Sequence, residues 1–186
     1  DTATTTSLAY ASGKMTLTGG QISGDAVVWF EEPSALISDP SEPVINKSVL
    51  LYSLSTGTNT SIRLSPSAEW PKTDGSRVIW SETNEETYLS TLSMYDIAAQ
   101  TTEILPVHPW DGASVMFDGD TIAFVDTNTS SLALYDIPSR KTTVVSVPIR
   151  TNTTFANIDG YAMAGDVLLY KTWIIEESQN AVSPIP

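Results

Sequence analysis

The chain has 186 residues, 41% of them hydrophobic, which is enough for one domain with a buried core. Its 22 acidic and 9 basic side chains give a net charge of −13, which disfavours nucleic acid and anionic lipid as partners. The absence of cysteine excludes disulfides, cysteine zinc ligands and thiol catalysis, and no apolar run reaches the roughly 20 residues of a membrane helix.

Polar segments lie at both ends of the chain. Residues 1–7 are rich in threonine and are expected to be a polar lead, and residues 179–186 are expected to be a tail or the start of a tether. A single domain is predicted between them, over residues 8–178. Because the chain begins at Asp1 rather than at a methionine, we expect a mature or trimmed product.

The first β-rich segment, Leu8–Leu17, carries a tyrosine, a polar turn and a second β-rich run. This tyrosine motif returns three times, and its tyrosines at 10, 52, 95 and 135 are separated by 42, 43 and 40 residues. Aromatic and β-branched residues on both sides of a polar turn predict two strands in each copy.

A second motif, a turn glycine followed by a β-rich run that ends near an aromatic residue, alternates with the first. Its copies are Ser23-Gly-Asp-Ala-Val-Val-Trp-Phe30, Asp74-Gly-Ser-Arg-Val-Ile-Trp-Ser81, Asp118-Gly-Asp-Thr-Ile-Ala-Phe-Val125 and Ala164-Gly-Asp-Val-Leu-Leu-Tyr-Lys171. The glycines at 24, 75, 119 and 165 are separated by 51, 44 and 46 residues. Each copy predicts a hairpin turn that joins two strands.

One motif of each kind makes a unit of about 45 residues and four short strands, which is the size of a β-propeller blade. No segment has helical periodicity. We therefore predict an all-β fold, a small propeller of four blades. Because the chain opens on a tyrosine motif and closes on a glycine motif, N-terminal strands would close the last blade, with Leu8–Leu17 beside Gly165–Tyr170.

Two other architectures fit repeated short strands. One is a β-sandwich, in which turn signals also recur. The other is a larger ring that contains these four blades. A missing segment or a second copy of the chain would supply its remaining blades.

A longer excursion, Glu31–Ile45, separates the first glycine motif from the next strand. It contains three prolines and four acidic residues around an apolar centre that includes Leu36 and Ile37. Loops of this length are often contact elements, so Leu36 and Ile37 are candidates for binding a partner. A tolerated insertion is the alternative.

The segment Glu69–Glu82 has a specific pattern, in which a tryptophan, a proline and an Asp-Gly turn precede a strand that ends in an aromatic residue. It resembles the TolB-like, WD40-like propeller repeat, and the Tyr-Asp-Ile segments at Tyr95 and Tyr135 resemble the later strand of that repeat. The resemblance extends over most of residues 8–172. It implies a cell-surface or surface-layer-like protein of archaea, methanogens especially, where such arrays are frequent. The family usually has six or more blades, so no channel function is carried over.

Catalytic groups are sparse. His108 is the single histidine, so neither a multi-histidine metal site nor a Cys–His pair can form. Adjacent acids such as Glu85 and Glu86 would point to opposite faces of a strand, and no nucleophile-elbow or phosphate-loop motif occurs. We predict a protein without catalytic activity and without a bound cofactor.

Three carboxylates of one hairpin, Asp118, Asp120 and Asp126, are the residues from which a Ca²⁺ site would be built, because Ca²⁺ prefers several oxygen ligands. Their spacing is not that of an EF-hand loop. Asp-Gly is also favourable turn chemistry, so a turn without a metal is the competing interpretation.

The five tryptophans divide into two groups. Trp29 and Trp80 occupy equivalent positions in the repeated strands and are predicted to pack in the core. Trp70, Trp110 and Trp173 lie outside these positions and are candidates for exposure and for stacking on sugars, with packing between blades as the alternative.

Four N-glycosylation sequons begin at Asn46, Asn59, Asn128 and Asn152, all in predicted turns or loops. Together with the repeats and the acidity, they predict an extracellular or cell-surface propeller with a structural or protein-interaction role. Other surface proteins or glycans are the expected partners, and a homo-oligomer is an option. The alternatives are a carbohydrate-binding module that uses exposed aromatics and, less favoured, a secreted hydrolase.

Overall fold

A computed structural model describes residues 15–33, 47–146, 154–165 and 167–176. Fourteen β-strands and no α-helix occur in these ranges, so the all-β prediction is confirmed for them. None of the described segments forms a helix that could cross a membrane. The chain divides into two compact units, residues 1–113 and residues 114–186.

The first unit contains two four-stranded antiparallel sheets. The first sheet has the order β1 (Met15–Ser23), β2 (Ala26–Pro33), β3 (Lys47–Ser53) and β4 (Thr58–Ser65). The second sheet has the order β5 (Ala68–Thr73), β6 (Arg77–Thr83), β7 (Ser90–Asp96) and β8 (Thr101–Leu105). In both sheets the glycine motif forms the first hairpin and the tyrosine motif forms the second.

The second unit repeats this order once in full. Its four-stranded sheet consists of β9 (Met116–Asp118), β10 (Thr121–Val125), β11 (Leu132–Asp136) and β12 (Lys141–Ser146). A further antiparallel pair, β13 (Thr154–Ala164) and β14 (Val167–Glu176), is built on the last glycine motif.

The repeats predicted from the sequence have the same geometry in each four-stranded sheet. The turn glycines 24, 75, 119 and 165 all have the left-handed conformation, with φ of 55°, 96°, 52° and 53°. One backbone hydrogen bond recurs after each third strand, from Leu54 to Asp25, from Ile97 to Ser76 and from Ile137 to Asp120, with N···O distances of 2.9, 3.0 and 2.9 Å. Each sheet is therefore one copy of the same unit.

The core of the first unit lies between its two sheets. Val28 and Val49 of the first sheet pack in one buried cluster with Val78 and Trp80 of the second. Trp80 is 0% exposed and Trp29 is 6% exposed, which confirms the prediction that both are core residues. Burial of each such side chain contributes roughly 1.5–3 kcal/mol, so apolar contact is the main force that holds the two sheets together.

The prediction for the N-terminal strands is wrong over Met15–Leu17. These residues belong to β1 and pair with Glu31–Pro33 of the first sheet, not with the strands around Gly165. The reason is that Gly19 and Gly20 form a bulge, so that pairing of β1 with β2 continues through it to Met15. Residues 8–14, with Tyr10, lie outside the described residues, as do the lead 1–7, the tail 179–186 and the partner-binding candidates Leu36 and Ile37.

Candidate functional site

The strongest candidate for a functional site is built on a bulge in β5. Glu69 pairs with Ser81 and Lys72 pairs with Ile79, so Trp70 and Pro71 together oppose the single residue Trp80. Proline has no N–H to donate to the ladder, which explains why the extra residue is accommodated here. Bulges redirect side chains and are common beside functional sites.

Trp70 has an unusual backbone at this bulge. Its φ is +55°, a conformation that costs an L-residue with a side chain about 1 kcal/mol or more. The indole is 40% exposed and meets Phe30 of β2 edge to face, with ring centroids 6.3 Å apart and an interplanar angle of 69°. An aromatic pair of this kind contributes about 0.5–1.5 kcal/mol, which offsets the backbone cost.

The connection from β8 to β9 packs on this bulge. Val107 and Val115 are buried and anchor its two ends. Between them, Gly112 lies so close to β5 and β6 that an added Cβ would be 2.0 Å from the Ser81 hydroxyl and 3.1 Å from Cδ1 of Trp70. Only glycine fits at position 112, so the connection, which also carries Trp110, packs closely against the Trp70 ring.

Two charged groups accompany the aromatic residues. The Lys72 ammonium donates to the carbonyl of Ala113 at 3.0 Å, and Asp111 Oδ1 accepts from the Ala113 N–H at 2.9 Å. Burial lowers the pKa of the Lys72 ammonium, and Coulomb attraction to Asp111 offsets part of this effect. Lys72 thus joins the connection to the sheet, a role that could not be predicted from the sequence.

We call Trp70 and Trp110 the aromatic face. Trp110 is 66% exposed and Trp70 is 40% exposed. These are the two tryptophans predicted to be exposed whose side chains the structure describes, and both lie at the surface. Trp173 lies in β14 with its backbone opposite Asn157, and its side chain is outside the described part of the chain. Two of the three candidate tryptophans are thus exposed, Trp70 at the β5 bulge and Trp110 in the connection that packs on it.

His108 lies in the same connection but makes no catalytic arrangement with the residues that the structure describes. Its Nδ1 is 3.3 Å from the carbonyl oxygen of Ser90, a contact with backbone.

The three aspartates of the proposed Ca²⁺ site serve other contacts. Asp118 Oδ2 accepts from the backbone N–H of Gly165 at 2.6 Å. Asp126 Oδ1 accepts from the N–H groups of Asn128 and Thr129, which is ordinary turn chemistry. Within the described ranges, no group of three or more acidic or histidine side chains is arranged to hold a metal ion, so Asp118, Asp120 and Asp126 are not brought together.

Two of the four sequons can be placed. Asn128 is exposed in the turn between β10 and β11, as predicted. Asn59 is also exposed but lies in β4, the outermost strand of the first sheet, rather than in a turn. Asn46 and Asn152 lie outside the described residues.

No protein-family model matches the chain, and neither does any curated protein sequence. Solved structures do match. The β-propeller domain of the Trilobed protease from Pyrococcus furiosus, which has an open velcro topology, is 11% identical with a TM-score of 0.54, over 92% of this chain and 57% of that one. An acylaminoacyl peptidase from Pyrococcus horikoshii is 9% identical with a TM-score of 0.51, over 89% of this chain and 32% of that one.

TolB from Acinetobacter baumannii is also similar, at 11% identity and a TM-score of 0.47, over 88% of this chain and 41% of that one. The chain spans 57% of the first neighbour's length and 32% of the second's. At these identities the first two neighbours show the fold alone, and together with the repeated four-stranded sheets they show that the chain has a β-propeller fold.

Proposed function

We propose that this chain is a non-catalytic β-propeller module of an extracellular or cell-surface protein, and that it acts by binding another surface protein through the aromatic face. The observation that carries this proposal is the exposure of two indoles, Trp110 at 66% and Trp70 at 40%. Trp70 is held at positive φ by the β5 bulge, and the connection that carries Trp110 packs against it at Gly112. Exposed tryptophans are enriched among residues that dominate the binding energy of interfaces.

The electrostatics of the chain support a surface partner that carries positive charge. The net charge of −13 gives the chain a field that attracts cations and cationic proteins, and repels nucleic acid. Asp111 lies between Trp110 and Gly112 and is exposed, so a carboxylate accompanies the aromatic face. An archaeal surface-layer origin is part of the same proposal and is supported by the repeat resemblance.

The extracellular location is supported by the sequons. Asn59 and Asn128 are exposed on an outermost strand and in a turn, where an attached glycan would meet solvent. A glycan on β4 would also cover one of the unpaired strand edges that invite aggregation.

The test compares wild type with Trp110→Ala in native cells. A membrane-impermeant biotin reagent should label the protein, intact mass should show added glycan, and the washed cell envelope should retain wild type but not Trp110→Ala. Tyr88→Ala is the matched control, since Tyr88 is 81% exposed in the β6–β7 turn and should not affect retention. An unlabelled cytoplasmic protein, or equal retention of Trp110→Ala and wild type, would contradict the proposal.

A second candidate function is a carbohydrate-binding module, which the same two exposed indoles favour because sugar rings stack on aromatic faces. Neutral oligosaccharides should then quench tryptophan fluorescence in wild type, and the quenching should disappear in Trp110→Ala. Absence of quenching across a set of neutral oligosaccharides would remove this candidate. A hydrolase is the least supported reading, because the aromatic face offers no pair of carboxylates across a cleft.

We further propose that four blades form the ring, with residues 8–14, around Tyr10, pairing with β13 and β14. The last sheet has two strands in the described residues, and the other three have four. Light scattering of the purified chain tests this, since a closed four-blade ring is a monomer. A stable dimer would favour the larger ring that a second copy completes.

A further inference from the structure

A second site lies between the two sheets of the first unit, apart from the aromatic face. It is a cleft of about 280 Å³, lined on one side by residues of β3, β4 and their turn, and on the other by β7 and the β7–β8 turn. The lining residues are Leu51, Ser53, Thr56, Thr58, Thr60, Tyr95, Ile97 and Gln100. We call it the inter-sheet cleft.

The lining is polar but uncharged. It contains five hydroxyl side chains, one amide and no charged side chain, on a chain whose net charge is −13. Ser53 is already engaged, because its hydroxyl donates to Asp25 at 2.7 Å and accepts from the Thr56 N–H at 3.3 Å. Such a wall offers both donors and acceptors to a ligand that carries neutral hydroxyl groups.

Several of these groups are unused. The side chains of Thr60, Tyr95 and Gln100 have no hydrogen-bond partner among the described residues. The Thr56 and Thr58 hydroxyls bond each other at 2.7 Å, which leaves one proton between them for a third group. These polar groups are therefore available to a ligand without breaking an existing contact between side chains.

An apolar surface completes the lining. Leu51 is buried in the core cluster, and Tyr95 and Ile97 pack against that cluster while remaining partly exposed. Tyr135, which occupies the equivalent place in the third sheet, is fully buried, whereas Tyr95 is partly exposed where it lines the cleft. A tyrosine ring beside hydroxyl groups suits the C–H face of a sugar.

Ion pairs hold the two walls together. Arg63 of β4 bonds both carboxylate oxygens of Glu82 in β6, at 2.7 and 2.8 Å, and Lys47 of β3 pairs with Glu69 of β5. The cleft is thus formed by strands of two sheets that are already joined, so little ordering is needed when a ligand binds.

We propose that the inter-sheet cleft binds one neutral pyranose unit, as a free sugar or as a residue of a neutral glycan. Its volume lies just below the range of about 300–1,000 Å³ that is typical for drug-sized ligands, which fits a single ring rather than an oligosaccharide. This proposal does not depend on the aromatic face or on the surface location.

The experiment titrates the ¹⁵N-labelled full chain with the methyl glycosides of glucose, galactose and N-acetylglucosamine, and with galacturonate as an anionic comparison. A neutral glycoside should shift the amide signals of Thr60, Tyr95 and Gln100 in a saturable way, and galacturonate should bind more weakly. Thr60→Val, which keeps the shape of the side chain and removes its hydroxyl, should weaken binding roughly 2- to 10-fold.

Thr143→Val is the matched control, because Thr143 opposes Leu134 in the third sheet as Thr60 opposes Leu51 in the first. It should leave the affinity unchanged. Absence of saturable shifts with all three neutral glycosides would overturn the proposal, as would tighter binding of galacturonate. Shifts that cluster at Trp70 and Trp110 and vanish in Trp110→Ala would place the sugar on the aromatic face and would also overturn it.

Discussion

Trp70 occupies in the second sheet the backbone position that Gly19 occupies in the first. In each sheet two residues of the first strand, Gly19-Gly20 or Trp70-Pro71, oppose a single tryptophan of the next strand, and the first of the two has φ of +69° or +55°. These two sheets thus require a left-handed residue at this place. Glycine meets the requirement without strain, and Trp70 meets it only because Phe30 and Gly112 pack against its ring.

Gly19→Ala tests this requirement. A Cβ at position 19 would lie 2.9 Å from Cε1 of Phe30 and would be held at positive φ, so we expect a loss of about 1–3 kcal/mol in the free energy of unfolding. The measurement is urea denaturation followed by tryptophan fluorescence. Gly20→Ala is the control, since its Cβ would meet nothing closer than a carbonyl at 3.9 Å, and a loss as large as that of Gly19→Ala would refute the explanation.

Gly112→Ala tests how closely the β8–β9 connection packs on the sheet. The added Cβ would be 2.5 Å from Cβ of Ser81, and overpacking of this kind costs about 1–3 kcal/mol. Ser81→Gly removes the obstructing side chain. The double variant should therefore lose less stability than the sum of the two single losses, and strict additivity would show that the contact is not what excludes alanine.

The Arg63–Glu82 pair predicts a pH dependence of stability. Burial opposes the charged carboxylate, but hydrogen bonds from Arg63 and Trp80 together outweigh it and hold the pKa of Glu82 below its usual range. The folded state then prefers the ionised form. The resulting stabilisation is complete above the unfolded pKa of about 4.3 and disappears as the pH falls through the lowered value.

Arg63→Met removes the pair, and because Arg63 is partly exposed we expect a cost of about 0.2–1 kcal/mol at pH 7. The difference in unfolding free energy between wild type and this variant should shrink between pH 5 and pH 3. Thr143→Val, which changes an exposed neutral side chain, is the comparison and should show no such pH-dependent difference. A difference that stays constant across this range would contradict the role of Glu82.

The pKa of Asp25 gives a prediction that can be tested by direct titration of its carboxyl group. Hydrogen bonds from the side chains of Ser53 and Ser55 lower the pKa of this carboxyl group. Ser53→Ala should raise that pKa in a carboxyl ¹³C titration. Asp136, whose pKa is lowered by Ser139 in the third sheet, should titrate as in wild type, and an equal change at both aspartates would contradict the local cause.

The repeats could be predicted from the sequence because turn glycines and β-rich runs are local signals. Gly24, Gly75, Gly119 and Gly165 were sufficient to place four hairpins, and the tyrosine runs around Tyr52, Tyr95 and Tyr135 were sufficient to place the third strand of each complete sheet. Core positions such as Trp80 followed from their equivalence in the repeat.

The bulges and the two candidate sites could not be predicted in the same way, because they depend on cross-strand register and on packing between sheets. Gly19-Gly20 forms a bulge only because Thr18 pairs with Phe30 and Gln21 pairs with Val28. The Trp70-Pro71 pair within a strand does indicate the second bulge from the sequence alone. The inter-sheet cleft has no signal in the sequence, since Thr60 and Gln100 become neighbours only when two sheets pack.

The central claim is that each repeat folds into its own sheet with the same register. Cross-strand backbone nuclear Overhauser effects in labelled protein measure this directly. We predict contacts between Val28 and Leu51, between Ile79 and Met94, and between Ala123 and Leu134, at equivalent places in the three sheets. Contacts that pair strands of different repeats, as in two stacked sheets, would contradict it.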